Sequence, residues 1–108
     1  MTAHIECALI GRWRIIEANL WDRAFLDLMQ PAQIRFQDNG HGEFSFGCVN
    51  GNLDCEYSAR TIFFTWQGND EMDEASGDGS AELGDDGAIE LEIRFHHGDE
   101  AVLKATRW

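Results

Sequence analysis

The stretch FGCVNGNLDCEY, residues 46–57, decides the fold. It holds an Asn-Gly pair, Asn50-Gly51, between two runs of alternating polarity. Asn-Gly tolerates the positive φ of a type I′ turn, so the pair predicts a two-residue hairpin loop. That loop sets Val49 opposite Asn52, Cys48 opposite Leu53, Phe46 opposite Cys55 and Phe44 opposite Tyr57. One face of the hairpin is then apolar: Phe44, Phe46, Cys48, Leu53, Cys55 and Tyr57. The other carries Ser45, Gly47, Asn52, Asp54, Glu56 and Ser58, with Val49 its one apolar residue. A slip by one position would mix the two sets, so the faces are strongly specified. Cys48 and Cys55 share the apolar face as diagonal neighbours, roughly 7–8 Å apart. That is beyond relaxed disulfide reach. Both read as small buried hydrophobes, with no metal ligands converging on them.

The same arithmetic extends outward. A four-residue loop, Ser58-Ala59-Arg60-Thr61, pairs Tyr57 with Ile62, Cys55 with Phe64 and Leu53 with Trp66. The turn Asn39-Gly40-His41 pairs Phe36 with Phe44 and Ile34 with Phe46. The turn Asp85-Asp86-Gly87 pairs Leu83 with Ile89 and Ala81 with Leu91. Residues 88–95 alternate, with Ile89, Leu91, Ile93 and Phe95 inward. Leu103, Ala105 and Arg107 match them on a last strand. A first strand, about 8–17, turns Leu9, Gly11, Trp13 and Ile15 inward and Arg12 and Arg14 outward. Between it and the second strand, residues 19–30 (NLWDRAFLDLMQ) predict a short helix, with Trp21, Phe25 and Leu28 on one face. Asn19 or Asp22 caps it and Pro31 ends it. Eight antiparallel strands with one inner face, plus this helix, predict an all-β up-and-down barrel in a single domain, residues 1–108. A flattened two-sheet sandwich is the alternative.

The chain has 108 residues, three cysteines and a formal net charge of −12 from 20 acids against 8 bases. Such a field repels nucleic acid and anionic membranes, so neither is expected as a partner. No apolar run approaches the ~18 residues of a membrane span, and no signal peptide is recognised. Three cysteines without a disulfide framework suit a reducing, cytoplasmic setting.

Gly11-x-Trp13 on the first strand and Arg107 on the last resemble the calycin barrels, lipocalins and fatty-acid-binding proteins among them. The resemblance implies a tryptophan packed under an arginine across the closing seam, a contact that cation–π attraction favours. The chain also resembles a family of short bacterial proteins of unknown function. Trp21-Asp22, the stretch FTWQGNDEMDEASGDG (64–79) and His96-His97-Gly98-Asp99 carry that likeness. Ser80 stands where an aromatic is expected. The family implies no activity.

Candidate chemistry is sparse. Residues 69–87 hold eight acids and no base. Asp70, Glu71, Asp73, Glu74 and Asp78 offer oxygens to a hard cation, but without EF-hand spacing. A solvated loop that keeps the barrel soluble is the other reading. His97 and Asp99 either hydrogen-bond to each other, giving a base or a metal pair, or sit in a plain turn around Gly98. No G-x-S-x-G elbow, Cys–His pairing or phosphate loop is present. The chain is therefore expected to be a non-enzymatic binding module without cofactor or metal. Its first expected ligand is a small apolar molecule at the helix-lidded end, near Trp13, Trp21, Phe25, Tyr57 and Arg107. The alternative is a protein partner or homodimer contact through the acidic 69–87 region and an outer face carrying Phe63.

Overall fold

The computed structural model describes residues 7–96 and 98–108. Eight strands, β1 (Gly11–Ala18), β2 (Gln33–Phe36), β3 (His41–Phe46), β4 (Val49–Tyr57), β5 (Thr61–Asp70), β6 (Asp73–Leu83), β7 (Ile89–Phe95) and β8 (Glu100–Arg107), form one closed antiparallel barrel in sequence order. Closure is made by β1 against β8. One helical turn, α1 (Arg23–Leu26), lies between β1 and β2. The sandwich alternative is thereby excluded: a closed ladder has no free edges to split into two sheets.

Inner faces follow the two-residue alternation, broken in β1 by a bulge between Ile15 and Glu17 that brings Ala18 inward opposite Leu103. Trp13, Ile15, Ile34, Phe36, Phe44, Phe46, Leu53, Ile62, Phe64, Trp66, Ile89, Leu91, Ile93 and Leu103 are all buried. The β4–β5 and β6–β7 registers match expectation, with Tyr57 opposite Ile62 and Leu83 opposite Ile89.

The β3–β4 hairpin does not turn at Asn50-Gly51. It turns at Gly47-Cys48, so Phe46 faces Val49 and Phe44 faces Gly51. Each pair slips by six positions from the expected one. Six is even, so the inner face survives the slip. Gly47 takes φ +56° while Cys48 stays negative, the φ signature of a type II′ loop. Two gains favour this register. Val49, Asn50 and Gly51 add three ladder positions against Asp70, Asn69 and Gly68. Phe44 also gains a residue without a side chain opposite it, since a Cβ on Gly51 would lie 3.0 Å from the Phe44 ring. Val49 consequently points inward and is buried, not outward. Cys48 leaves the apolar face for the turn, and Cys7, Cys48 and Cys55 are all free thiols.

The β2–β3 ladder slips by two: Ile34 faces Phe44 and Phe36 faces Gly42. The expected helix over 19–30 shrinks to Arg23–Leu26, N-capped by the Asp22 carboxylate, which accepts from the Phe25 N–H at 2.9 Å. Leu28 is 58% exposed, and Leu26 takes its place in the core. The stop comes from Asp27. Its carboxylate accepts from the Ala32 N–H at 2.9 Å and receives both Arg14 Nη atoms at 2.6 and 2.7 Å, folding the chain back toward β2.

Residues 73–83, expected to lie largely in an acidic loop, are strand β6. Its inward positions are small: Gly77 faces Trp66, Gly79 faces Phe64 and Ala81 faces Ile62. Large residues on β5 fill the barrel because β6 leaves them room. The acids alternate outward and so give no apolar signal for a strand.

Asp27 carries a pH signature. The Arg14 guanidinium and the Ala32 N–H hold its carboxyl well below the usual carboxylate range. A lowered folded-state value means the stabilisation is complete above the unfolded carboxyl's pKa of about 3.9 and is lost as pH falls through the folded one. Asp27→Asn is expected to be less stable than wild type at pH 7 by about 1–3 kcal/mol, as loss of a charge-assisted hydrogen-bonded pair implies. The gap should narrow as urea melts are taken below pH 4; a gap independent of pH would show that the carboxylate charge is irrelevant to the turn.

Candidate functional site

The up-and-down order puts alternate connections at opposite ends of the barrel. One end carries α1, the β3–β4 turn and the β5–β6 turn. There Gly47 N–H donates to the Leu26 carbonyl at 2.8 Å and Glu71 N–H to the Cys48 carbonyl at 2.9 Å. The other end carries the β2–β3, β4–β5 and β6–β7 loops with residues 7–10. There Ala8 N–H donates to the Ala59 carbonyl at 3.0 Å.

This separates the five residues expected to share one ligand site. Trp21 and Phe25 belong to the helix end. Trp21 stacks on Phe25 at 5.7 Å and packs on Phe46 and Phe95 at 5.2 and 6.4 Å between centroids. Phe25 lies so close over Gly47 that a Cβ there would sit 2.4 Å from its ring. Trp13, Tyr57 and Arg107 belong to the opposite end. The Tyr57 hydroxyl donates to the Gln37 carbonyl and accepts from the Gly40 N–H at 2.9 Å, tying the β2–β3 loop to β4. Burial, the larger effect, raises the Tyr57 pKa. The Arg107 guanidinium sits 4.0 Å over the Trp13 ring and donates to the carbonyls of Ile10 and Ala8, both at 2.8 Å. Trp13 in turn donates its indole N–H to the Leu9 carbonyl at 2.9 Å. Gly11, at φ +127°, lies where a Cβ would meet Arg107 Nη1 at 2.6 Å. The G-x-W and arginine constellation thus forms a latch that folds residues 8–10 under the barrel.

Leu26 caps the interior at one end and Leu9 at the other, both fully buried. The interior between them is occupied by the protein's own side chains, with no buried polar residue among those described. Burial also pushes the Cys55 thiol up to about 12, so it is a protonated, unreactive group at neutral pH.

The outer wall of β4–β7 is different. Phe63 is 58% exposed on β5. In register it stands between Glu56 and Ser80, with Glu92 beyond. The next row along reads Asp54, Thr65, Asp78 and Arg94. A groove of about 570 Å³ follows these rows, closed at one side by Gly40 and His41. Arg94 is the one base on β4–β7, and it is engaged by Asp78 and Glu92, each at 3.0 Å. Asp54, Glu56, Glu82 and Glu90 add to the negative face. His41 Nδ1 lies 3.4 Å from the Asp54 carboxylate. The groove therefore offers one aromatic ring inside an acidic rim. Phe63 is legible from strand parity; the strand character of residues 73–80, which carry Asp78 and Ser80 of this wall, is not.

The cation reading of 69–87 meets an arrangement that spreads the acids. Asp70, Glu71, Asp73 and Glu74 sit at the β5–β6 turn, while Asp78 is on the wall. No metal-holding group of acids, histidines and cysteines occurs among the described residues. His97 lies outside the described residues. Asp99 is exposed, and its backbone carbonyl accepts from Phe95 N–H at 2.9 Å. No helix among the described residues is long and apolar enough to cross a membrane.

No family model, curated protein or solved structure matches the chain.

Proposed function

We propose that this calycin-like barrel is a protein-interaction module, and that its outer β4–β7 wall receives a cationic segment with an apolar residue seated on Phe63. The observation that carries the reading is Phe63 itself, a large exposed ring inside an acidic rim. An exposed aromatic surrounded by one sign of charge selects for a partner of the opposite sign: the ring supplies contact area and the rim supplies steering. Two copies of the chain do not pair wall to wall, because two acidic walls repel. In this reading the barrel acts as a scaffold that presents the ring and its rim of carboxylates.

An apolar ligand at the helix-lidded end is the second reading. It requires Leu26 and Trp21 to move aside, whereas the outer groove needs no rearrangement.

The test is an NMR titration of the labelled protein with a short peptide of alternating lysine and leucine. Shifts should concentrate on Asp54–Glu56, Phe63–Thr65, Asp78–Ser80 and Arg94. Phe63→Ser should weaken binding by about tenfold, the ~1.4 kcal/mol expected of a modest aromatic anchor. Shifts spread evenly over all acidic positions, or binding indifferent to Phe63, would overturn the reading.

A further inference from the structure

The eight bases share the ion pairs unevenly. Arg14, Arg23, Arg60, Arg94 and Lys104 each lie within 4.0 Å of an acid. Arg12, Arg35 and Arg107 pair with no acid among the described residues, in a chain with 20 acids. All three lie on β8, β1 and β2, toward the end away from α1. Arg107 is engaged by the carbonyls of Ala8 and Ile10. Arg12 and Arg35 face each other directly across β1 and β2, and both are exposed. Arg12 donates twice to the neutral Gln33 amide oxygen, at 3.2 and 2.9 Å. The Trp108 ring, 52% exposed, lies 4.1 Å from its guanidinium. Glu43 is opposite Arg35 on β3, yet the two form no ion pair. Like charges facing across strands repel, so this patch is a local cost that an anionic partner would relieve.

The opposite end presents the converse. At the β5–β6 turn Met72 is 97% exposed, between Glu71 and Asp73, with Asp70 and Glu74 beyond and no base nearby in sequence. The turn is anchored: Glu71 takes φ +58° and donates its N–H to the Cys48 carbonyl at 2.9 Å.

We propose that copies of this chain associate head to tail, the acidic Met72 turn of one docking on the Arg12–Arg35–Trp108 patch of the next. Turn and patch are complementary in charge, and each also exposes one large apolar side chain. Carboxylates meet guanidinium forks, and the Met72 thioether meets the Trp108 ring. The two surfaces lie at opposite ends of the barrel, so one copy cannot satisfy itself. The contact is heterologous and can repeat along a row of copies. The net charge of −12 opposes approach at long range. Association should therefore strengthen from very low salt toward roughly physiological ionic strength, where screening sets in beyond about 8 Å, and weaken again in high salt. This contact is independent of the Phe63 wall.

The experiment is sedimentation velocity on the full chain from micromolar to millimolar concentration. Wild type should form species that grow beyond a dimer. Arg12→Gln/Arg35→Gln and Asp73→Asn/Glu74→Gln should each weaken association by at least about tenfold. Circular dichroism on each variant checks that the barrel is intact. Mixing the two variants is the decisive arm, because each still carries one mutated and one native surface. The native turn of the first variant and the native patch of the second should join in a 1:1 dimer that does not extend. A wild type that stays monomeric throughout overturns the proposal. So does variant association equal to wild type, or a monomer that instead binds phosphate or an oligonucleotide at the arginine patch.

Discussion

Trp13→Ala is expected to destabilise the barrel by about 3–5 kcal/mol, the range for deleting a buried aromatic. Trp13 is 1% exposed and stands where β8 closes on β1, so its loss opens a void at the seam itself. It also leaves the Leu9 carbonyl without its indole donor. Arg107→Ala should cost less, about 1–2 kcal/mol, because it removes a cation–π contact and two hydrogen bonds to carbonyls that water can reach. The pair should be coupled. In the double variant the loss should fall short of the sum by about 0.5–1 kcal/mol, since neither partner of the stack remains to be lost twice. Urea melts of the four proteins of this cycle provide the measurement. Strict additivity would mean that Arg107 only ties down residues 8–10 and gains nothing from the ring beneath it.

Gly68→Ala should be among the most damaging exchanges of a glycine in the ladders, alongside Gly77→Ala, whose Cβ would fall 1.8 Å from the Arg94 backbone oxygen. A Cβ at Gly68 would fall 1.8 Å from the Asn50 carbonyl oxygen and 2.6 Å from Gly51 Cα. Both are backbone atoms, so no rotamer change relieves the clash; β4 and β5 must separate. The cost should reach about 3 kcal/mol, the upper part of the overpacking range. Gly87→Ala is the control. It has φ +82° but nothing within 4 Å of the added atom. Its cost should be limited to backbone strain, about 1–2 kcal/mol. Thermal melts of both variants separate steric approach from backbone conformation. Equal losses would show that the β4–β5 spacing yields more readily than the ladder suggests.

The glycines also show where a reading of local signals stops. Asn50-Gly51 and Gly47-Cys48 both carry a residue suited to a tight turn. Local chemistry favours the first, because Asn-Gly is the stronger type I′ pair. The structure uses the second because the choice is settled elsewhere. Gly51 is needed beneath Phe44 and against Gly68, and Gly47 is needed beneath Phe25. Phe44 is local, but Gly68 arrives from β5 and Phe25 from α1, which no window around residue 50 contains. The same holds for Leu26 and Leu28. Helical spacing selects Leu28 for the core, but Arg14 reaches Asp27 from β1 and ends the helix before Leu28 can turn inward. Val49 follows the hairpin: once the turn moves, its side chain changes face.

The candidate sites divide along the same line. Phe63 as an outward residue follows from strand parity; Trp13 beneath Arg107 is what the calycin resemblance implies, and closure of β8 on β1 brings the two together. The separation of Trp21 and Phe25 from Tyr57 and Arg107 follows from the up-and-down order: α1 joins β1 to β2 at one end, while Tyr57 ends β4 and Arg107 ends β8 at the other. What residue order hides is the first part of β6: over residues 73–79 the inner side chains are small, Ala75, Gly77 and Gly79, and give no apolar alternation.

By itself the sequence determined which way most strand side chains face, that eight antiparallel strands share one inner face, and that the surface is strongly acidic. These are properties of period-two alternation and composition, and every even-numbered slip of register preserves them. Tertiary structure alone decided which glycine turns, how far each ladder slides, and which residues meet at each end. Those depend on the summed fit of large side chains on one strand to the gaps left by another, and that sum exists only when the barrel is closed.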